Sequence, residues 1–399
     1  MPNCGGAVIP MQLNINYLIG DAEKFSQIEV VKPLEIFSNE ACEFLNAVSK
    51  PLLKVRNFPD VATLGFWCRK ASTSKMAAAY KSLNRIGRGI IFHIAPSNVP
   101  VNFAYSFAAG LLAGNVNIVR VPSKNFPQVE IVCNALKNAL SDFPKMAQYV
   151  YMVRYGHERE INDLFSGVCD TRVIWGGDAT INEIRKSPLK VRANEITFAD
   201  RHSIAVIKAD KYLSAENKNR IAQDFYNATY LNDQNACNSP KIIIWQGKDT
   251  DSAREIFWQN LQEIVDREYN LQAVQAVDKL VQFDLLAMNK KTVLKKSTNN
   301  KIFRAEIFSI DADLRNYFGN SGFFLEYVAQ DLTEILPICD SRCQTLSYFG
   351  YDIDALKDFV KINRPRGIDR IVPFSRTLDF GLNWDGYDLI YSMSRIIAD

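Results

Sequence analysis

The sequence predicts an α/β protein whose parallel sheet is covered by helices on both faces. Between residues 88 and 185, short apolar runs alternate with longer segments in which apolar residues recur every three or four positions. The runs have the length of strands, and proline, glycine or serine follows closely after each of them. Alternating strands and helices favour parallel pairing, with ligands held at the carboxyl ends of the strands.

The first strand and helix set the pattern. Residues 88–95 (RGIIFHIA) predict a buried strand, which residues 96–100 (PSNVP) break. A helix of apolar and small residues then runs from 101 to 113. Gly110 and Gly114 lie near its end, where glycine serves close packing or capping.

The same alternation continues to residue 185, and beyond Cys237 it weakens but persists. Strands are predicted at residues 117–121, 149–153 and 171–175, and helices at 127–140, 158–165, 179–185 and 251–268. Because parallel strands end at one edge of a sheet, the loops at 95–100, 120–124 and 176–178 should share that edge.

A standard dinucleotide fingerprint is absent from the sequence. Residues 87–89 (GRG) form only a GxG, which precedes a strand instead of following one. Residues 176–178 (GGD) follow a strand and open a helix, so their backbone could approach a phosphate. A turn with Asp178 or Thr180 as the helix N-cap explains the same residues equally well.

Composition and charge exclude several classes of function. The chain of 399 residues is 47% hydrophobic and 23% charged, which is typical of a globular protein with two or three domains. Its 47 basic and 44 acidic residues leave a net charge of +3, so we expect no nucleic-acid partner. Residues 1–6 lack the features of a secretory signal, and no apolar run approaches the ~18 residues that span a bilayer. We therefore expect a cytoplasmic protein.

One of the eight cysteines, Cys237, is a candidate nucleophile. None of the eight belongs to a CxxC pair, and the chain has three histidines, so we expect reduced thiols and no metal site. Residues 233–240 (DQNACNSP) place Cys237 where a loop meets the apolar run 241–245. A nucleophilic thiolate needs partial exposure and nearby donors, which the flanking Asn, Gln and Ser residues could supply. A small buried side chain in a turn is the alternative.

Four motifs occur in order at residues 92–100 (FHIAPSNVP), 114–123 (GNVNIVRVPS), 235–237 (NAC) and 384–388 (WDGYD). Together they resemble the acyl-CoA reductase family, which includes the fatty-acid reductase subunit of bacterial bioluminescence. This family is a branch of the aldehyde dehydrogenase superfamily. The resemblance covers roughly residues 85–399. It implies an aldehyde dehydrogenase-like fold, with a parallel-sheet nucleotide-binding domain and a second α/β catalytic domain.

The resemblance also divides the chain by function. It implies an NADP(H)-binding, Rossmann-like domain at residues 1–207 and a catalytic domain with the nucleophilic cysteine at 208–375. Residues 376–399 form a separate C-terminal segment, and oligomerisation is the role considered for it.

By resemblance, Cys237 takes an acyl group from a thioester, and a nicotinamide cofactor then delivers hydride to release an aldehyde. Asn98 matches the asparagine whose side-chain amide, with the backbone N–H of the cysteine, forms the oxyanion hole of the superfamily. A structural turn before Val99 and Pro100 is the alternative for Asn98.

The resemblance assigns the cofactor to a further set of residues. They are Ala95, Pro96, Ser97, Arg120, Ser123, Lys124, Gly156, Gly176, Gly177, Asp178 and Asp340. Lys124 stands where NAD-preferring relatives place a glutamate, and a cation there favours the 2′-phosphate of NADPH over NADH. A solvated lysine is the alternative. Asp178 replaces a serine beside the diphosphate and would repel it unless the carboxylate caps the helix.

The general-base glutamate of the superfamily is missing, because Phe198 aligns with its position. Without a base to activate water, an acyl-enzyme should persist until it meets hydride or another thiol. Glu195 and Asp200 lie close enough in sequence to restore the role.

We therefore expect NADPH-dependent reduction of a fatty acyl thioester, from acyl-CoA or an acyl-protein, to an aldehyde. The chain is expected to form a homo-oligomer, and an acyl-protein synthetase or transferase is a further candidate partner. Two alternatives remain open: an aldehyde dehydrogenase running toward the acid, and a non-redox acyl-transfer or scaffold subunit that uses Cys237 only as an acyl acceptor.

Overall fold

The computed structural model describes residues 13–80, 84–295 and 299–398. The strands are β1 (Asn16–Ile19), β2 (Arg85–Gly87), β3 (Ile90–Ile94), β4 (Val116–Arg120), β5 (Val150–Arg154), β6 (Thr171–Trp175), β7 (Asn194–Phe198), β8 (His202–Lys208), β9 (Pro240–Gln246), β10 (Thr292–Lys295), β11 (Phe303–Ile307), β12 (Phe323–Val328), β13 (Cys343–Phe349), β14 (Arg370–Pro373), β15 (Asn383–Trp384), β16 (Tyr387–Asp388) and β17 (Ser394–Ile396).

The α-helices of the described residues are α1 (Ala22–Phe25), α2 (Asn39–Leu52), α3 (Pro59–Cys68), α4 (Lys70–Ala77), α5 (Asn102–Leu112), α6 (Pro127–Asp142), α7 (Arg159–Val168), α8 (Asp178–Ile184), α9 (Ala209–Leu213), α10 (Lys218–Thr229), α11 (Thr250–Glu268), α12 (Ala273–Asn289), α13 (Ile353–Asn363) and α14 (Leu389–Met393). The chain forms two compact units. One comprises Met1–Ala199 and Tyr387–Asp399, and the other comprises Asp200–Gly386.

The first unit is built on a six-stranded sheet in the order β1-β5-β4-β3-β6-β7. Strand β1 is antiparallel to β5, and the other neighbours are parallel. Every residue of β3 and β6 is buried, which requires cover on both faces of the sheet. The predicted α/β class is therefore confirmed.

The predicted elements of this unit are found with ends shifted by a few residues. Strand β6 occupies residues 171–175 as predicted, and α6 begins at Pro127, whose fixed φ suits the first helical position. Gly114 follows the end of α5 with a φ of +89°, and a Cβ there would collide with the carbonyl of Leu34. Gly114 thus ends the helix in the left-handed conformation that glycine adopts most readily.

The second unit is built on a seven-stranded sheet in the order β10-β11-β12-β9-β8-β13-β14. Only the β10–β11 pair is antiparallel among its neighbours. Alternate residues of β8 pack into two separate cores. Ala205 and Ile207 face one, and Ile204 and Val206 face the other. This period of two places a full core on each face of the sheet.

The C-terminal residues belong to the first unit. Strand β17 pairs antiparallel with β2, and Arg85 donates to the hydroxyl and the carbonyl of Ser394 at 2.8 and 2.9 Å. Tyr80 donates to the Asp388 carboxylate at 3.0 Å. These contacts hold residues 387–396 against the segment that precedes the central strands.

Two further properties hold for the described part of the chain. None of its helices combines the length and the apolar character needed to cross a membrane. Its seven cysteines are all free thiols. Cys4, the eighth, lies outside the described residues, as do the first residues that we considered for a secretory signal.

Candidate active site

The first unit gathers most of the predicted cofactor residues at one edge of its sheet. Strands β3, β4, β5 and β6 run parallel, so the loops after them emerge at their common carboxyl edge. These loops carry the predicted residues Ala95, Pro96, Ser97, Asn98, Ser123, Lys124, Gly156, Gly176, Gly177 and Asp178. Ser97, Asn98, Ser123 and Lys124 are exposed there. The edge can therefore receive a ligand.

Arg120, the last residue of β4, is engaged by the neighbouring loop. Its guanidinium donates to the carbonyl of Gly156 and lies over the Tyr155 ring, 4.5 Å from the centroid. Two predicted cofactor residues, Arg120 and Gly156, thus contact each other. The stacked guanidinium is held near the loop edge by a hydrogen bond and a cation–π interaction.

The glycine pair after β6 makes a tight connection to α8. A Cβ on Gly176 would lie 3.1 Å from the Thr180 side chain, so a larger residue would crowd the helix. Gly177 is the N-cap of α8 and Asp178 is its first residue. Neither Asp178 nor Thr180 is thus the N-cap. Asp178 puts a carboxylate in the first turn of α8, where the helix dipole favours negative charge.

Motif residues of β3, β4 and β6 form a buried polar chain. The His93 ring contacts Ser106 Oγ at 2.7 Å and Asn117 Oδ1 at 3.0 Å, and Trp175 Nε1 donates to the same Ser106 oxygen at 2.9 Å. Burial lowers the pKa of His93 to about 4, so the ring is neutral at pH 7. These residues fix the strands below the loop edge.

Phe198 ends β7 beside this chain. Its ring stacks on Trp175 with centroids 3.6 Å apart and an interplanar angle of 15°, and the Tyr387 ring meets it edge-on at 5.7 Å. Trp175 and Phe198 are paired across neighbouring strands, so the stack lies at the carboxyl edge of the sheet. An apolar ring therefore fills the position that the sequence aligns with the missing base.

Glu195 is held away from a basic role by two arginines. Its Oε2 accepts from Arg172 Nε at 2.9 Å, and its Oε1 accepts from Arg185 at 2.7 Å. Both carboxylate oxygens are thus engaged in charge-assisted hydrogen bonds. Asp200 is exposed and follows β7 by two residues.

Cys237 lies in the second unit, in a loop anchored by Gln234. Asp233 and Gln234 both have positive φ, at 50° and 58°, which turns the chain sharply toward β9. The buried Gln234 side chain accepts from the backbone of Gly322 and Phe323 at 3.0 and 3.1 Å, and donates to the carbonyls of Pro240 and Phe323. The loop is therefore locked to β12, and Cys237 precedes the strand as predicted.

The polar neighbours of Cys237 bind elsewhere, contrary to expectation. Asn238 donates to the carbonyl of Thr377 at 2.7 Å, and Ser239 donates to the carbonyl of Ala228 at 2.8 Å. With Gln234 also engaged, these side chains brace the loop and leave the thiol to other donors.

A distant side chain meets the thiol instead. Gln344 Nε2 lies 3.2 Å from Cys237 Sγ and also donates to the Asp385 carboxylate. Since an ionised carboxylate can only accept, Asp385 fixes the amide with its nitrogen toward the sulfur. Asp385 and Gly386 have positive φ, at 50° and 78°, so a tight turn aims the carboxylate. Arg201 lies 3.6 Å from Asp385 and 2.5 Å from Asp369.

Burial, followed by the nearby Asp385 charge, raises the pKa of the Cys237 thiol to about 11, while the Gln344 hydrogen bond acts in the opposite direction. Cys237 still retains some exposed surface. The pKa of Asp385 is raised by burial. Cys237 is therefore mainly a thiol at neutral pH, and anything that strengthens donation to its sulfur favours the reactive thiolate.

Asp340 also lies in the second unit. Its Oδ2 accepts from Arg315 at 2.6 Å and its Oδ1 from the backbone of Arg342 at 2.9 Å. Sequence reasoning included Asp340 but assigned no role to Gln344 or Asp385, although both lie in motif-like segments. Within the described ranges, no three His, Cys, Asp or Glu side chains converge as metal ligands would.

Comparisons with known proteins agree with this architecture. A family model described as acyl-CoA reductase (LuxC) matches residues 72–302, more than half of the chain. No curated protein matches the sequence. A mutant 1-pyrroline-5-carboxylate dehydrogenase from Thermus thermophilus aligns at 12% identity and a TM-score of 0.61, over 94% of this chain and 83% of that chain.

Two further solved structures share the fold. An NAD-dependent benzaldehyde dehydrogenase from Corynebacterium glutamicum has 11% identity and a TM-score of 0.61, over 94% of this chain and 88% of that one. The putative aldehyde dehydrogenase PutA from Anabaena variabilis has 15% identity and a TM-score of 0.59, over 89% and 85%. The family match, on a fold shared with aldehyde dehydrogenases, shows that this chain belongs to the acyl-CoA reductase (LuxC) family, which implies an aldehyde-related oxidoreductase with a nicotinamide cofactor.

Proposed function

We propose that this protein reduces a fatty acyl thioester to an aldehyde with NADPH, through an acyl group carried on Cys237. The observation that supports this most directly is the contact between Gln344 Nε2 and Cys237 Sγ at 3.2 Å. An N–H directed at a sulfur stabilises its thiolate, which is the form that attacks a thioester.

In the proposed reaction, the Cys237 thiolate attacks the acyl carbonyl and the bond between the acyl carbon and the donor sulfur breaks. The donor thiol leaves as a thiolate and takes up the proton that Cys237 lost. Hydrogen bonds to a charged group contribute about 1.5–3 kcal/mol, so the Gln344 donor offsets part of the cost of ionising a buried thiol. Asp385 acts indirectly, by holding the Gln344 amide in place.

The loop edge of the first unit fits a nicotinamide nucleotide. Backbone at Gly176 and Gly177 carries no bulky side chain, and two cations lie at the central strand β4, Arg120 as its last residue and Lys124 in the loop after it. In the described part of the chain, Lys124 enters no ion pair and is exposed, as a residue that binds the 2′-phosphate of NADPH must be. When bound, the nicotinamide supplies the hydride that turns the acyl group into an aldehyde.

The direction of the reaction rests on Phe198. A phenyl ring has no basic atom, so Phe198, stacked on Trp175, cannot accept a proton from water, and Glu195 is engaged by two arginines. A thioester on Cys237 then survives until hydride or another thiol arrives, which supports reduction over acid formation. Asn98 remains the proposed oxyanion donor on the resemblance alone.

We place the reaction in the cytoplasm, with acyl-CoA or an acyl-protein as donor. In this proposal the first unit binds the cofactor and the second carries the nucleophile.

Intact-protein mass spectrometry after treatment with a fatty acyl-CoA series, without cofactor, tests the proposal. The parent protein should gain one acyl group, and Cys237→Ala should gain none. Cys42 is the other partly exposed cysteine of the described chain, so Cys42→Ala is the matched control and should still be acylated. Adding NADPH to the isolated acyl-enzyme should release aldehyde. An adduct that persists in Cys237→Ala would overturn the assignment.

A further inference from the structure

The pairing of β8 with β13 contains a β-bulge at Gln344. Cys343 pairs with His202 and the next pair is Thr345 with Ser203, so two steps along β13 match one step along β8. Gln344 is the extra residue. Bulges are common beside active sites, where they re-aim a side chain, and this one carries the amide that contacts the thiol.

Ser203 ties the bulge to the loop that carries the thiol. Its hydroxyl donates to the carbonyl of Cys237 at 2.7 Å and accepts from the backbone N–H of Thr345 at 3.2 Å. One side chain thus contacts both the residue with the thiol and the residue after Gln344. The sulfur and the amide are therefore anchored to each other through their backbones.

Arg201 holds the other side of the bulge. It directly precedes β8, and its Nη2 donates to the carbonyl of Cys343 at 2.9 Å. Its Nη1 donates to Asp369 at 2.5 Å and lies 3.6 Å from Asp385. The planar guanidinium thus joins the bulge to the carboxylate that orients the Gln344 amide.

The pairing of Arg201 with Asp385 is largely shielded from water. The two side chains are 9% and 4% exposed, so solvent screens their attraction little. Burial raises the pKa of Asp385, and Arg201 is the strongest of the groups that lower it. The pKa of Cys237 is raised by burial and then by the Asp385 charge, whereas Arg201 lowers it. One cation therefore favours the ionised carboxylate and offsets its charge at the sulfur.

Two other cations near the thiol are engaged elsewhere. Arg370 donates to three backbone carbonyls of the segment 376–379, and Lys241 donates to two backbone carbonyls. Within the residues that the structure describes, neither forms an ion pair with Asp385. The contact with this carboxylate is made by Arg201.

We propose that Arg201 is a positioning residue for Cys237, which keeps the Gln344 amide directed at the sulfur and offsets the charge of Asp385. This inference rests on the proposed function, in which the Cys237 thiolate is the nucleophile. Arg201 contacts no reacting atom and acts through Gln344 and Asp385. Without Arg201, the carboxylate that orients the amide would also oppose ionisation of the thiol in full.

The rate at which iodoacetamide modifies Cys237 tests the proposal. It is followed against pH by mass spectrometry of the Cys237 peptide, in the full chain with Cys42→Ala. Arg201→Met should slow the reaction at pH 8 by about tenfold, the factor that corresponds to one unit of pKa. Arg201→Lys keeps the charge but not the planar fork, and should lie between Arg201→Met and the parent.

The decisive variant combines Arg201→Met with Asp385→Asn. It should recover the parent rate within about threefold, because no carboxylate charge is left to offset and the asparagine still accepts from Gln344. An arginine with a merely structural role would not be rescued in this way. A rate that stays low in the combined variant would overturn the proposal, and so would a parent-like rate in Arg201→Met.

Arg220→Met is the control, because Arg220 forms an ion pair with Asp224 along α10 in the same unit, at 3.0 Å. It should react like the parent, and circular dichroism should show that all variants fold. Alkylation needs neither acyl donor nor cofactor. A Cys237 that is alkylated but accepts no acyl group would thus overturn the proposed function, while the effect of Arg201 on the thiol is judged from alkylation alone.

Discussion

Gln344 Nε2 lies 3.2 Å from Cys237 Sγ, although 107 positions separate the two residues in the sequence. The same nitrogen donates to Asp385, so the carboxylate orients the amide and at the same time places negative charge near the sulfur. These two effects of Asp385 oppose each other. The hydrogen bond through Gln344 favours the thiolate, whereas the charge raises the pKa of the thiol.

Substitution separates the two effects. Gln344→Met should raise the pKa of Cys237 further above about 11 and slow its alkylation at pH 8 by about tenfold, because the donor to sulfur is lost. Asp385→Asn keeps an acceptor for Gln344 but removes the charge, so alkylation should become faster. The measurement is the rate of iodoacetamide modification of Cys237 against pH, in a Cys42→Ala background. Identical rate profiles for parent and Gln344→Met would contradict the assigned contact.

Asn98→Ala should lower kcat by about 100-fold while leaving the affinity for the cofactor nearly unchanged, because an oxyanion donor acts on the transition state. Asn98→Asp is the stricter variant. It keeps the shape of the side chain but has no N–H to donate, and should be as slow. The checks are steady-state kinetics and NADPH titration by fluorescence. A loss confined to cofactor binding would assign Asn98 to the nucleotide loop.

The parallel strands could be predicted because each is a short apolar run that ends at a breaker, as in residues 171–175. The buried face of helix α12 could not be predicted in the same way. Its apolar stripe predicts a buried face, yet the structure turns that stripe outward and buries Lys279 against backbone carbonyls. Side-chain periodicity identifies a helix but not which neighbour covers it.

The candidate site divides along similar lines. Cys237 directly precedes a strand and the predicted loop residues follow strands, so local sequence and motif order point to them. Cys237 precedes β9 and Gln344 lies on β13, and the order of strands in the sheet places β8 alone between them. The turn at Asp385 and Gly386 then directs a carboxylate onto the Gln344 amide. Strand order and backbone turns of this kind have no signature in the spacing of residues along the chain.

Lys124→Glu should shift cofactor preference from NADPH toward NADH. A carboxylate repels the 2′-phosphate and accepts hydrogen bonds from the ribose hydroxyls. We expect the ratio of kcat/KM for the two cofactors to change by about fivefold or more, which is about 1 kcal/mol of differential binding. Lys145→Glu is the control, since this exposed lysine precedes β5 at the opposite edge of the sheet. If the NADPH-to-NADH ratio of kcat/KM were the same in Lys124→Glu as in Lys145→Glu, Lys124 would have no role in cofactor selection.

His93 predicts a pH dependence of stability. Its folded pKa of about 4 lies below the ordinary histidine value of 6.5, so its contribution is present above pH 6.5 and is lost as the pH falls through about 4. The shift corresponds to about 3 kcal/mol. Denaturant titrations from pH 7 to pH 4 should show a steeper loss of the free energy of unfolding in the parent than in His93→Gln, which cannot titrate. Parallel curves would contradict the prediction.

Phe198→Glu should divert the acyl group from aldehyde to acid. The new carboxylate lies where the stacked ring met Trp175, and burial raises the pKa of a carboxyl toward neutrality, which makes it a better proton acceptor from water. The parent acyl-enzyme has no such base at this position and should resist water but yield to thiols, which can arrive already ionised. The measurement is the partitioning of isolated, radiolabelled acyl-enzyme among acid, new thioester and aldehyde after buffer, CoA or NADPH is added. Phe198→Leu is the control, because it also loses the stack but adds no base, and should form no more acid than the parent. Rapid acid release by the parent would mean that another residue, with exposed Asp200 first, activates water and that the proposed direction is wrong.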